Sequence, residues 1–208
     1  MRAQSNFRKK PSKSQKDGKS SGEIRIIGGQ WRGRKLKVHN KEGLRPTTDR
    51  LKETIFNWLM MDIRGKQVLD CFAGAGSLGF EAMSRGAEHL VCIEKDKVAA
   101  QQLKHNCDVL GVNHSVVVKQ GDFFTCIKQF ETPFNLVFID PPFHKGLTEN
   151  TFQSLVDNQL LEDGALVYLE QEATAPFDIN NSELAGSFEI IKDKQAGQVR
   201  AQLLQYSK

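Results

Sequence analysis

The 208-residue chain has the composition of a globular protein, with 39% hydrophobic and 26% charged residues and a formal net charge of +4. This composition excludes a fully disordered chain, and no apolar stretch approaches the roughly 20 residues that a membrane-spanning helix needs. The basic N-terminus is no secretory signal, and the four cysteines fit no zinc template, so we expect reduced thiols, no metal and a cytoplasmic location.

Positive charge is concentrated at the N-terminus. Residues 1–37 contain 12 Lys or Arg against 2 Asp or Glu, whereas the rest of the chain contains 17 against 23. Residues 1–21 have almost no large apolar side chains, so we expect a disordered basic tail there. A basic arm on a mildly acidic body indicates contact with a polyanion, although a solvated tail without a partner would have the same composition.

Two short strands, residues 23–27 and 35–38, are predicted around a glycine-rich turn, and Trp31 is expected to pack beneath the resulting hairpin. A helix follows from about residue 49, with Leu51, Ile55 and Leu59 on one apolar face. The cations on or near the hairpin are candidate contacts to the polyanion: Arg25, Arg32, Arg34 and Lys35.

Strands alternate with helices from residue 66 onward, which predicts βαβ units and a mostly parallel sheet with helices on both faces. The last two strands have no helix between them and should pair as an antiparallel hairpin at one edge. The predicted strands are residues 67–71, 89–94, 115–119, 134–139, 165–170, 187–192 and 199–205.

Three parts are expected along the chain. Residues 1–21 form the tail, residues 22–60 form an N-terminal hairpin and helix that bind the polyanion, and residues 61–208 form a catalytic domain. The fold class is α/β, and no internal repeat is present.

A GxGxxG motif, formed by Gly74, Gly76 and Gly79, follows the first strand of the predicted sheet. Such glycines permit a tight turn that brings backbone and a helix N-terminus close to a ligand. Glu94 ends the next strand, where a carboxylate can accept hydrogen bonds from both ribose hydroxyls. NAD dehydrogenases and S-adenosylmethionine enzymes share these features.

Two further carboxylates favour S-adenosylmethionine over NAD. Asp70 suits a cofactor with cationic amino and sulfonium groups and would repel a pyrophosphate. Asp122 can accept a hydrogen bond from the adenine N6 amine, and Phe123 can cover the ring. A loop-bracing Asp70 and a solvent-facing Glu94 remain open alternatives. The candidate cofactor-binding residues are Asp70, Phe72, Gly74, Gly76, Glu94, Asp122 and Phe123.

The fourth strand runs directly into Asp140-Pro141-Pro142-Phe143, our candidate catalytic residues. Ligands of open α/β sheets bind beyond the carboxyl ends of the strands, so this tetrapeptide should lie beside the cofactor. An exocyclic amine such as guanine N2 is a weak nucleophile because its lone pair is delocalised. The Asp140 carboxylate and the Pro141 carbonyl would draw that nitrogen toward tetrahedral geometry, while Phe143 stacks on the base. A rigid strand-exit turn is the alternative.

These segments together resemble the RsmD family of bacterial 16S ribosomal RNA guanine-N2 methyltransferases. The resemblance spans about residues 22–206 and is most specific in residues 24–36 and in the LRPTTDR segment, residues 44–50. Residues 70–79 and 140–146 also carry it.

The resemblance implies a Rossmann-like class I methyltransferase fold with a seven-stranded sheet and an N-terminal hairpin that faces RNA. It implies S-adenosylmethionine as the methyl donor and a substrate that is the 30S subunit or a late assembly precursor. We expect the enzyme to be a monomer. Four more side chains could then contact the RNA, although Arg45 and Arg50 could instead pair with Glu42 or Glu53: Arg45, Arg50, His144 and Lys145.

Other functions remain open on the sequence. An adenine-N6 nucleic-acid methyltransferase could use the same tetrapeptide, and a non-catalytic ribosome assembly factor could use the same fold. Asp70 and the lack of a hydride-transfer site disfavour a dehydrogenase.

Overall fold

The computed structural model describes residues 22–38, 49–142, 146–174 and 176–208. The predictions for the tail, residues 1–21, and for Arg45, Phe143, His144 and Lys145 lie outside the described residues. Within the described ranges, no helix has both the length and the apolar character to cross a membrane.

Within the described residues, nine strands form two sheets. A two-stranded antiparallel sheet consists of β1 (Gly22–Arg25) and β2 (Lys35–Val38). The strands of the main sheet are β3 (Gln67–Asp70), β4 (His89–Glu94), β5 (Val116–Gln120), β6 (Phe134–Ile139), β7 (Leu161–Glu172), β8 (Phe188–Ala196) and β9 (Val199–Tyr206).

The main sheet has the order β5-β4-β3-β6-β7-β9-β8. Strands β3 to β7 are parallel, and β9 runs antiparallel between β7 and β8. The seven-stranded sheet, its antiparallel edge and the N-terminal hairpin confirm the predicted fold class.

In the part of the chain that the structure describes, five α-helices cover both faces of the sheet. The buried side chains of α1, α2 and α3 join one hydrophobic cluster, and those of α4 and α5 join a second cluster on the opposite face. The helices are α1 (Asp49–Trp58), α2 (Ser77–Ser84), α3 (Lys97–Leu110), α4 (Phe123–Cys126) and α5 (Leu147–Asp157). All four cysteines are buried and free.

The N-terminal hairpin shares its core with the main sheet. Ile24, Trp31 and Leu36 are buried in the same cluster as the inner side chains of α1 and α2, so Trp31 packs beneath the hairpin as predicted. The Trp31 backbone N–H donates to the Ser84 hydroxyl over 3.0 Å. Gly29 has a φ of +72°, and a Cβ there would lie 1.8 Å from the Ser84 carbonyl oxygen, so this close approach requires glycine.

A buried polar network also fastens the hairpin to α1 and α2. Glu81 is fully buried and accepts hydrogen bonds from the Ile27 N–H and from Arg85 Nε, each over 2.8 Å. The ammonium group of Lys52 donates to the Arg25 carbonyl oxygen and lies 3.9 Å from Glu81. Burial lowers the pKa of Lys52, while the charge of Glu81 opposes that shift. Strand β1 ends at Arg25, two residues earlier than predicted, because the Ile26 carbonyl accepts from the Gly33 N–H and the turn of the hairpin begins there.

Candidate cofactor and methyl-transfer site

Asp70 ends strand β3 in the centre of the sheet and is 2% exposed. Its carboxylate accepts a hydrogen bond from the Gly79 N–H over 3.3 Å. Burial raises the pKa of Asp70 from 3.8 to about 7; the Gly79 hydrogen bond opposes this shift, and the charge of Glu94 adds to it. A carboxyl group that titrates near neutrality would ionise readily beside a cationic ligand.

The glycine-rich loop is braced from the next strand. Glu94 accepts hydrogen bonds from the Gly74 N–H over 2.8 Å and from the Asp96 N–H over 2.6 Å. The structure thus places Glu94 against the loop, only partly exposed, rather than turned out into solvent. Each carboxylate oxygen keeps a second acceptor position for a ligand hydroxyl.

Backbone conformation and packing both require glycine at position 76. Its φ is +76°, and a Cβ at this position would lie 2.6 Å from side-chain atoms of both Leu103 and Phe80. The position is therefore fixed by packing of the loop against α2 and α3, not only by approach to a ligand.

An unpartnered hydroxyl lies next to the loop. Ser77, the first residue of α2, has a buried Oγ without a hydrogen-bond partner in the described part of the chain. Because buried polar atoms are nearly always paired, this hydroxyl fits a polar group of a ligand held over the loop. Our sequence reasoning passed over Ser77, since a serine at the start of a helix ordinarily serves as a cap.

The third predicted element of the cofactor site follows β5. Asp122 caps α4 by accepting from the Phe124 N–H over 3.1 Å, and it also lies 3.4 Å from the exposed Lys95 ammonium. Phe123 is only 3% exposed and packs against Phe72, with ring centroids 5.4 Å apart. The ring of Phe123 therefore supports Phe72, which is partly exposed, and does not itself present a free face.

Asp140 directly follows β6 and is partly exposed, while Pro141 is buried and Pro142 is exposed. Burial raises the pKa of Asp140 well above its ordinary value, and the charges of Glu170 and then Asp70 raise it further. The structure thus brings Asp140 and Asp70 to one edge of the sheet.

Glu170 is a component that our sequence reasoning missed. It is buried near the end of β7 and accepts a hydrogen bond from the Tyr168 hydroxyl over 3.0 Å. The available signal was a carboxylate that directly follows the apolar run of residues 165–169, near the carboxyl end of the strand that neighbours β6.

Those predicted RNA contacts that the structure describes lie on the outer face of the hairpin and at the start of α1. Their side chains are exposed, while the apolar side chains of Ile26, Trp31 and Leu36 are buried in the core. Lys35 forms a 2.9 Å ion pair with Glu23 across the hairpin. The exposed cations are Arg25, Arg32, Arg34, Lys35 and Arg50.

Among the described residues, no group of three or more His, Cys, Asp or Glu side chains is arranged to hold a metal ion. The site therefore consists of backbone, carboxylate, hydroxyl and aromatic groups around a glycine-rich loop. These groups fit an organic cofactor that carries positive charge, ribose hydroxyls and an aromatic ring.

Comparison with known proteins agrees with this geometry. Residues 24–205 match the family model described as conserved hypothetical protein 95. The chain is 46% identical to the ribosomal RNA small subunit methyltransferase D of Escherichia coli strain K12 over 197 residues, which cover 95% of this chain and 94% of that protein. It is 44% identical to the protein of the same name from Haemophilus influenzae, covering 89% and 95% of the two chains.

Solved structures show the same fold. The structure described as "Putative methyltransferase yhhF from Escherichia coli" superposes with a TM-score of 0.79 at 46% identity, covering 89% of this chain and 99% of that one. A T. thermophilus 16S rRNA N2 methyltransferase, solved with AdoMet and guanosine, has a TM-score of 0.68 at 20% identity and covers 90% of this chain and 50% of that one. The second likeness supports the fold alone.

Proposed function

The chain belongs to the family of conserved hypothetical protein 95, the RsmD family of methyltransferases, and we propose that it methylates the exocyclic N2 amine of a guanine in 16S ribosomal RNA with S-adenosylmethionine as the donor. One observation carries the proposal: Asp70, which lies beneath the glycine-rich loop, and Asp140 lie at the same edge of the sheet. Relatives that share nearly the whole chain are named for the small-subunit RNA.

The residues around the loop fit this donor. When bound, S-adenosylmethionine supplies an electrophilic methyl group on a sulfonium. The Asp70 carboxylate provides negative charge for the cationic part of the donor, and Glu94 accepts from the ribose hydroxyls. The unpartnered Ser77 hydroxyl satisfies a further polar group. Asp122 accepts from the adenine amine, and Phe72, supported by Phe123, contacts the ring.

The acceptor amine is activated by the segment after β6. One N–H of the amine donates to the Asp140 carboxylate and the other to the Pro141 carbonyl, which a proline ring holds in a fixed direction. With both N–H groups held, the nitrogen lone pair is withdrawn from the ring and would be available as the nucleophile toward the methyl group that S-adenosylmethionine supplies when bound. Because its pKa is raised, the Asp140 carboxylate is a better proton acceptor once methyl transfer makes the N–H acidic.

The substrate RNA is held mainly through its phosphates. The exposed arginines of the hairpin supply charge for affinity and position but little choice of sequence. A guanine in a helix would first have to be unstacked, at a cost of a few kcal/mol, to reach Asp140. A monomer acting in the cytoplasm on the 30S subunit, or on a late precursor, completes the proposal. The stacking role of Phe143 and the phosphate contacts of Arg45, His144 and Lys145 remain predictions.

Methyl transfer to small subunits that lack their own modification tests the proposal. Labelled S-adenosylmethionine and nucleoside analysis of the product should show N2-methylguanosine. Asp140→Asn keeps the shape of the side chain but removes its charge, and we expect a loss of about 10² to 10⁴ in kcat. Asp62→Asn, an exposed carboxylate at the opposite edge, is the matched control and should retain full activity.

The other outcomes are equally informative. Label in N6-methyladenosine would show that the same mechanism acts on the N6 amine of an adenine and not on a guanine. Donor binding without label on subunits, free RNA or DNA would contradict the proposal and favour a non-catalytic assembly factor.

A further inference from the structure

A groove of about 340 Å³ lies between the start of α1 and the turn that joins β8 to β9. Arg50 and Thr54 line it from the helix, and Lys194 and Gln195 line it from the strand. The two walls touch, because Lys194 Nζ donates to Thr54 Oγ1 over 3.2 Å and that hydroxyl donates to the Arg50 carbonyl oxygen. None of the steps assigned to the methyl-transfer site uses this groove.

The strand register places the groove level with Asp140. Ile139 pairs with Leu169, so Asp140 leaves β6 at the height of Glu170. Glu170 pairs with Ala201, and Ala201 pairs with Lys194. Three strand spacings of about 4.8 Å put Lys194 roughly 14 Å from Asp140 along one row of the sheet.

The groove and the catalytic residues also share a face. Paired residues project to the same side of a sheet, and alternate residues along a strand do likewise. Lys194 therefore projects on the side of Ala201 and Tyr168, which belong to the cluster packed beneath α1. Strand β6 lies between this groove at the β8 edge and the hairpin, which contacts α2 and α3 over the other half of the sheet.

Positive charge predominates at the groove. Arg50 and Lys194 are both exposed, and Lys192 projects on the same face two residues before Lys194. No ion pair to Arg50 is recorded in the described part of the chain. The charge of Asp193 is neutralised on the other face of β8 by Arg200, with contacts of 3.1 and 2.5 Å. Glu53 is an exposed acid on α1, and Asp49 lies 3.7 Å from the buried Lys52.

We propose that this groove binds the phosphodiester backbone of the substrate RNA on the side of the target nucleotide opposite the hairpin. The inference rests on the proposed function and extends it to a second RNA contact. Two basic surfaces on one face, with Asp140 between them, could hold both flanks of a nucleotide that is drawn out of its stack. Protection of the β8 edge against strand pairing would also explain exposed lysines, but it predicts no effect on RNA binding.

Charge reversal at the groove tests this inference, and charge reversal at an exposed lysine beyond the end of β9 is the matched control. Lys194→Glu and Arg50→Glu alter the groove, while Lys208→Glu alters an exposed lysine that follows β9 at the opposite edge of the sheet. We expect each groove variant to bind small subunits and free 16S RNA about five- to tenfold more weakly, with the slope of log affinity against log salt reduced by about 1. KM for subunits should rise by a similar factor, and Lys208→Glu should match the wild type.

Unchanged S-adenosylmethionine affinity and melting temperature would show that the variants are folded, and Lys194→Gln should give an intermediate loss. Groove variants that bind RNA like the Lys208 variant would overturn the inference. Weaker binding to subunits with normal binding to free 16S RNA would also overturn it, because the groove would then contact a ribosomal protein. A wild-type protein that binds RNA without methylating guanine would instead contradict the proposed function, and the binding comparison would still decide the role of the groove.

Discussion

The carboxyl edge of the main sheet and the outer face of the hairpin hold charges of opposite sign in opposite surroundings. At the sheet edge, Asp70 and Glu170 are buried, and the pKa of Asp70 is raised to about 7. On the hairpin, Arg25, Arg32 and Arg34 are exposed over a buried apolar base. Burial thus changes the proton affinity of a carboxyl group, which a reaction can use, whereas exposed arginines leave their charge open to long-range attraction of a polyanion.

The two regions should therefore respond differently to mutation. Changes at the sheet edge should alter turnover, donor affinity and pH dependence. Changes on the hairpin should alter RNA affinity and its salt dependence. The buried network around Glu81 connects the regions, so breaking it should affect both.

Glu81→Gln is expected to have the largest effect of the changes considered below. Glutamine can still accept from the Ile27 N–H but leaves the buried ammonium of Lys52 without its buried counter-charge. Breaking a buried ion pair costs about 3–5 kcal/mol, so chemical denaturation should show a loss of that order in the free energy of unfolding. RNA affinity should fall as well, because the hairpin loses part of its anchor.

Lys52→Met in the Glu81→Gln background is the control. Removing the unpaired cation should restore part of the stability. A double variant that is less stable than Glu81→Gln alone would show that Lys52 acts mainly through its hydrogen bond to Arg25 and not through charge.

Asp70→Asn should separate stability from donor binding. Because the pKa of Asp70 is raised to about 7 in the native state, the folded chain keeps a proton between about pH 4 and pH 7 that the unfolded chain has released. The free energy of unfolding contributed by this group therefore falls as pH rises through that window. Asparagine does not ionise, so the variant should be more stable than the wild type at pH 8, by an amount on the order of 2 kcal/mol.

The same variant should bind S-adenosylmethionine about ten- to a hundredfold more weakly, because it lacks the negative charge that attracts the cationic donor. Calorimetry should also show weaker donor binding by the wild type at pH 6 than at pH 8, because Asp70 is then mostly protonated in the free protein. A donor affinity that is constant across this range would contradict the assignment of Asp70.

Much of this fold could be predicted because its apolar patterns are regular. Strand β4 was predicted with its observed bounds, but β7 begins at Leu161, four residues before the predicted start. Polar and glycine residues at Glu162, Asp163 and Gly164 interrupt the apolar run there. Helix α4 was not predicted, since four residues are too few to show a helical period.

The sequence could single out Asp70, Glu94 and Asp140 as candidates because a carboxylate at the end of a strand indicates its chemistry, and their roles stay predictions. The candidate site was not predicted where a role depends on contacts between distant segments. Glu81 and Lys52 are 29 residues apart on two different helices, and a charged side chain on a helix is usually exposed to solvent. The burial of Phe123 beneath Phe72 likewise follows from packing that the sequence does not display.

Arg34→Ala should have a smaller effect, confined to RNA. Arg34 is exposed and has no acidic partner among the described residues, so its full charge is available to a phosphate. We expect binding to small subunits to weaken about three- to fivefold, with a salt slope reduced by about 1 and unchanged donor affinity. A change in donor affinity would mean that the hairpin and the cofactor loop are coupled, against the separation of the two regions.

Lys35→Ala should have the smallest effect, although Lys35 directly follows Arg34 in the hairpin. Its ammonium lies 2.9 Å from the Glu23 carboxylate, and both side chains are about half exposed, at 55% and 46%. A surface pair of this kind contributes little to stability, so a phosphate competes with Glu23 for the same cation at little cost. We expect less than about a twofold loss of RNA affinity for Lys35→Ala and a gain of similar size for Glu23→Gln, which frees the cation. If Lys35→Ala instead weakens RNA binding as much as Arg34→Ala, then the RNA displaces Glu23 from Lys35 in the complex. The hairpin would then offer the RNA one more unpaired positive charge than it has in the free protein.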